Sequence, residues 1–159
     1  MMPRHVESLF CDDIRYEIGG KLSYMGVYSG GLLVPTFPAM LPKLCLSVKI
    51  VTPADDLLHS LTVRVLKDDA VLHELTVSEQ QVAAASACVE GLTEEQKKEH
   101  TSVTQLFLVF SPIQFQAPCA LKVRVLTEGG ELRGGGLKVG QAQPSAEEAP
   151  AQMLAGSPS

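Results

Sequence analysis

The chain has 159 residues, 45% of them hydrophobic, which suffices for one domain with its own core. With five Phe, three Tyr and no Trp, that core falls to Leu, Val, Ile and Ala. The net charge is −5, of which Glu147 and Glu148 carry −2 and the rest of the chain −3, and no run of Lys or Arg exceeds two residues; phosphate surfaces need clustered cations, so neither nucleic acid nor a membrane is an expected partner.

The opening residues Met1 to Glu7 contain no apolar h-region, and no stretch approaches the ~20 apolar residues that span a bilayer. The sequence contains no Asn and hence no glycosylation sequon. A cytoplasmic protein is expected. Cys11, Cys45, Cys88 and Cys119 are far apart and without His at ligand spacing, so buried thiols are expected and neither a metal nor a cofactor.

In chain order, Val6 to Tyr28 reads as a hairpin turning at Gly19-Gly20. Setting Ile18 opposite Lys21 places Ile14, Tyr16, Ile18, Met25 and Val27 on one core face. It also puts Asp12 there, a conflict that a bulge near Asp12-Asp13 would relieve. Gly30 to Pro42 holds Pro35, Pro38 and Pro42, which block helix and central strand, so it reads as a connection. Yet it carries Leu32, Leu33, Val34, Phe37, Met40 and Leu41. These either plug an open end of the fold or present an interface, with Phe37, Met40 and Leu41 as an anchor cluster. Leu44 to Ile50 then alternates as a half-buried strand, and Pro53 to Leu58 is a loop.

The phrase Leu61-Thr62-Val63-Arg64-Val65-Leu66 is written again as Leu121-Lys122-Val123-Arg124-Val125-Leu126, with only Thr62/Lys122 different. Each copy runs into an acidic or Gly-bearing turn and then a second apolar run, so two equivalent hairpins are expected over Leu61–Val77 and Leu121–Val139. Leu61, Val63, Val65, Leu121, Val123 and Val125 face the core, while Arg64 and Arg124 face outward, where cross-strand carboxylates would pair with them. Between the hairpins, Ser78 with Gln81 resembles a capping box, and Val82, Ala85, Ser86 and Val89 form a helical face closed by Gly91. A second short helix starts at Thr93. Leu106 to Phe110 is apolar on both faces and reads as a central strand; Pro112 to Pro118 reads as a loop. The stretch 141–159, rich in Ala, Pro and Ser, reads as a disordered tail following a domain over 1–140. The expected fold is all-β, an antiparallel two-sheet sandwich of about eight strands with a short helical insertion.

Residue chemistry points nowhere in particular. Asp55-Asp56 and Asp68-Asp69 flank opposite ends of one strand and cannot share a cation, so both pairs read as solvated turns. Gly134-Gly135-Gly136 lacks the context of a phosphate loop and reads as an irregularity in a hairpin strand. His5, His59, His73 and His100 are isolated, and no catalytic residue is assigned.

The opening hairpin does carry a resemblance. Phe10-Cys11-Asp12-Asp13-Ile14-Arg15, Glu17, Gly19-Gly20-Lys21-Leu22-Ser23 and Gly26-Val27-Tyr28 resemble the opening signature of a family of small uncharacterised bacterial and phage proteins. Ser111-Pro112 and Pro118 fit the same family. The resemblance implies a bacterial or phage origin and no particular activity. The expectation is a non-enzymatic protein-interaction or ligand-binding module that meets a protein partner or a second copy of itself. The alternatives are a phage structural or accessory component, and an enzyme whose site is assembled from scattered residues.

Overall fold

The computed structural model describes residues 3–85 and 91–143. In chain order these form β1 (His5–Glu17), β2 (Lys21–Val27), β3 (Gly31–Val34), β4 (Ala39–Leu41), β5 (Leu44–Pro53), β6 (Leu61–Lys67), β7 (Ala70–Val77), α1 (Glu79–Ala85), α2 (Glu94–Glu99), β8 (Thr101–Phe110), β9 (Ile113–Phe115), β10 (Cys119–Thr127), β11 (Gly130–Arg133) and β12 (Leu137–Gln141). Sheet A has the order β2-β1-β5-β8 and sheet B the order β3-β12-β10-β6-β7, with β11 also paired to β10. Between them lies one core in which Leu44, Leu46, Val48 and Ile50 of sheet A meet Val63, Val65, Leu121, Val123 and Val125 of sheet B. The fold is therefore all-β with a short helical insertion, as expected, though built from twelve described strands rather than eight.

The two copies of the repeated phrase pair with each other. β6 and β10 run antiparallel with Arg64 opposite Arg124, Val63 opposite Val125 and Val65 opposite Val123. Alternation then sends the three apolar residues of each copy inward, and all six are buried. The outer partners differ. β7 carries a bulge, since Val65 faces His73 while Leu66 faces Val71, leaving Leu72 as the extra residue. On the other side the return strand is cut in two, β11 along Arg124 to Thr127 and β12 along Cys119 to Leu121. The cut falls at Gly134 to Gly136. There the chain passes so near β10 that a Cβ on Gly136 would stand 2.5 Å from the Leu121 carbonyl oxygen.

The first hairpin departs from the expected register. Glu17 faces Lys21, so Ile18, Gly19 and Gly20 all belong to the loop, and every later pair shifts by one: Tyr16 with Leu22, Ile14 with Tyr24, Asp13 with Met25. A one-residue slip exchanges the faces of a strand. Accordingly Tyr16, Met25 and Val27 are exposed, and Ile18 at the tip is 98% exposed. No extra residue interrupts the pairing at Asp12. Instead Gly26 lies there with φ +66, and any side chain on it would collide with the Asp12 carboxylate. Asp12 itself accepts the Tyr28 hydroxyl proton. Beyond this point the hairpin bends over the face of sheet A opposite the core. The Tyr24 hydroxyl lies 3.2 Å from Ser47 Oγ and accepts from Gln105 Nε2 at 2.8 Å, while Tyr16 stands edge-on to Phe107 at 6.0 Å.

Both proline-rich segments contain strands. β3 pairs parallel to β12 at the edge of sheet B, where Pro35 after its last residue disturbs no ladder. Among the described residues β4 and β9 pair only with each other, and they close one end of the core through Ile113 and Phe115. Both helix starts match the expectation: Ser78 and Gln81 exchange hydrogen bonds, as do Thr93 and Gln96. Val82 points into the core; Ser86, Val89 and the Gly91 cap's preceding turn fall on or beside residues outside those described. Gln141 ends β12 and Ala142 N–H donates to Val34 O at 2.8 Å, so the sheet reaches past the expected tail boundary. The remainder of that tail, 144–159, lies outside the described residues.

Val63 and Val123 occupy equivalent, fully buried positions, so Val63→Ala and Val123→Ala should each lower unfolding free energy by about 1–3 kcal/mol. Chemical denaturation of both variants checks this, and an unchanged midpoint in either would contradict the placement of that valine in the core.

Candidate functional site

The six apolar residues singled out between Gly30 and Pro42 divide by strand alternation. Leu32 and Val34 of β3 are buried in the core, and Phe37 and Leu41 are half-buried against it. Leu33 and Met40 point outward, each 60% exposed. They lie on separate short strands in separate sheets. The segment therefore closes the sandwich with most of its apolar surface and leaves two isolated side chains outside.

On the outward face of sheet B the repeat generates a row of charge. Glu74, Arg64, Arg124 and Arg133 follow one another across β7, β6, β10 and β11. Arg64 Nε donates to Glu74 at 2.7 Å. Arg124 donates to the Val123 carbonyl, and Arg133 has no carboxylate partner among the described residues. Glu131 beside the row and Lys122, tied to Asp69 at 3.3 Å, make it a mixed surface rather than a cationic cleft.

The ionisable groups otherwise serve the fold. Arg4, with its side chain only 12% exposed, donates to the Asp56 carboxylate at 3.0 Å, Leu57 O at 3.0 Å and Glu128 at 2.7 Å. Glu128 also accepts from the Ser60 and His59 amides at 3.0 and 3.2 Å. A shallow cavity of about 470 Å³ opens over this clamp. Partial burial works to raise the Glu128 carboxyl, but the Ser60 amide, its own amide, Arg4 and the His59 amide together hold it down at about 2. At neutral pH it is a fixed charge that pins the chain start to the β10–β11 turn, with no proton to give. Asp13 is paired with Lys43 at 2.6 Å, and Asp68 accepts from Ala120 N–H at 3.0 Å. The thiols of Cys11 and Cys45 face each other across β1 and β5 and are buried. Burial pushes Cys11 up to about 11 and Cys45 up as well, so both stay protonated and poorly nucleophilic.

One strand stands apart. β8 lies at the edge of sheet A, not at its centre: it pairs with β5 on one side only among the described residues. Sequence reading placed it centrally because it is apolar on both faces. The structure gives another reason for that pattern. Its inward face lies on the core, while Gln105 and Phe107 of its outward face lie under the bent first hairpin. The register with β5 runs unbroken from Leu44–Phe110 to Pro53–Thr101, and the ten residues include no charge, no proline and no bulge. Edge strands are normally protected by such devices. Here β7 has its bulge and Glu74, β3 has four residues before Pro35, and β2 has Lys21 and the left-handed Gly26. Val103 and Val109 on the edge are 48% and 57% exposed. Beside it, between β8 and β7, runs a groove of about 450 Å³ lined by Leu75, Val77, Gln81, Val103 and Leu106. The missing signal was topological: nothing local in Thr101–Phe110 tells an edge from a centre.

Residues 7–140 match the model of a family described as Family of unknown function (DUF6941). The chain belongs to that family. No curated protein and no solved structure matches it. The family is one of unknown function, so the reading of the site rests on its geometry.

The Glu128 clamp has a pH signature. A carboxyl at about 2 in the fold against 4.5 ordinarily adds stability above pH 4.5, and that stability disappears as pH falls towards 2. Glu128→Gln should therefore melt below the parent at pH 7, with the gap closing by pH 2. Melting temperatures measured across pH 2–7 test this; a gap independent of pH would contradict it.

Proposed function

We propose that this DUF6941 protein is a non-enzymatic protein-interaction module whose contact element is the free edge of β8. The observation that carries the reading is the ten-residue, uncharged, unbulged edge of sheet A. Such an edge offers a row of unpaired backbone N–H and C=O groups to an added strand, while exposed side chains at alternate positions supply selectivity. The interface segment inferred from Leu32, Leu33, Val34, Phe37, Met40 and Leu41 does not enter this reading, since four of the six lie against or within the core and Leu33 and Met40 stand on other sheets than β8. The same reading takes the protein to act in the cytoplasm of a bacterium or a phage-infected cell; its support is the opening-hairpin resemblance and the buried free thiols Cys11 and Cys45, which suit a reducing compartment.

The reading is tested with a photo-crosslinking amino acid placed at Val109, with Leu33, Met40 and Arg133 as control positions, in the full chain expressed in its native setting. Adducts should form from Val109 and be several-fold fewer from the controls. Adducts from the controls with none from Val109 would overturn it.

A further inference from the structure

We infer that the strand added to β8 is β8 of a second copy of this chain, paired antiparallel about a two-fold axis at Leu106. This rests on the reading of β8 as the contact element and goes further by naming the occupant. The support is the placement of the exposed side chains. Val103 and Val109 are the exposed large apolar residues of β8; they share one face, and stand three residues to either side of Leu106, which points to the other. Centring the axis on Leu106 sets Val103 of each copy opposite Val109 of the other, so all four valines are covered at once. No other register of an antiparallel self-pair does this.

The remaining pairs are compatible. Gln105 meets Phe107 of the second copy, and its amide nitrogen is already used by the Tyr24 hydroxyl and Ser47. Thr104, which lines the groove between β7 and β8, meets Leu108, and Ser102 meets Phe110. Each copy carries a net charge of −5, yet the pairing strand has none, so like charges are kept away from the axis. The pairing is isologous and closes as a dimer. It joins two four-stranded sheets A into one sheet of eight strands, leaving β2 as the edge at both ends.

Sedimentation equilibrium on the full chain, from about 1 µM to about 1 mM, tests the inference. A reversible monomer–dimer equilibrium is expected. Val103→Glu and Val109→Lys should each weaken it by roughly tenfold or more, because each places two unpaired charges against valine. Mixing the two variants should restore dimerisation as a heterodimer, since Glu at 103 then faces Lys at 109 while the second contact remains valine on valine. A parent chain that stays monomeric over the whole range, or a dimer that neither substitution weakens, overturns the inference. So does a loss that mixing fails to rescue when both variants melt like the parent. Where the parent is monomeric, the crosslinker at Val109 separates the two readings. Adducts to another protein overturn self-pairing and uphold β8 as the contact element; no adducts overturn both.

Discussion

The rest of the molecule is arranged around the pairing of β6 with β10. Two copies of one phrase lie side by side and antiparallel, so a local two-fold axis passes between Arg64 and Arg124. That symmetry fixes the inward stack of Val63 on Val125 and Val65 on Val123, which forms the floor of the core. It also forces the two arginines together on the outward face, because residues opposite each other in a sheet share a side. The charge row is thus a consequence of the repeat before it is anything else. Only the first copy has an acid in place to neutralise its arginine, Glu74; the equivalent place beside Arg124 holds Arg133.

The symmetry stops one strand further out, where each flanking strand is made irregular by a different device. β7 inserts Leu72 as a bulge, and the opposite strand breaks at three glycines so that β12 can continue to β3. These irregularities belong to a wider constraint. A two-sheet sandwich has four edges, each with backbone groups seeking partners. Bulge, charge, brevity, proline and a left-handed glycine are spread over three of them. The fourth, β8, has none of these among its ten residues. Its outward face is partly sheltered by Tyr16 and Tyr24 from the first hairpin, while no strand among the described residues pairs with its flank. A side chain can be covered by folding a hairpin over it; an unpaired ladder of amides needs another strand.

What could be read from sequence was what short-range pattern determines. The repeat, the inward facing of its valines and leucines, the Ser78 capping box and the helix start at Thr93 follow from period-two alternation and i to i+3 spacing, and the structure has them. The first hairpin was found but misregistered. Gly19-Gly20 satisfies a two-residue turn locally, and only the docking of Tyr24 on Ser47 and of Tyr16 on Phe107 selects the longer loop. β3, β4 and β9 were hidden by their prolines, which exclude central strands but not an edge strand or a two-stranded ribbon. β8 was seen as a strand and placed wrongly, because double-sided apolarity measures burial and not the number of neighbours. The candidate site inherits that limit. Leu33 and Met40 were legible as apolar, whereas the open edge exists only in the topology.

The most direct test of this account is the register of β6 against β10 in solution. Cross-strand nuclear Overhauser effects in labelled protein should link Val63 with Val125, Arg64 with Arg124 and Val65 with Val123, and link β6 to β7 on its other side. Effects that connect each repeat only to its own hairpin partner, with none between the two copies, would contradict the account at its base.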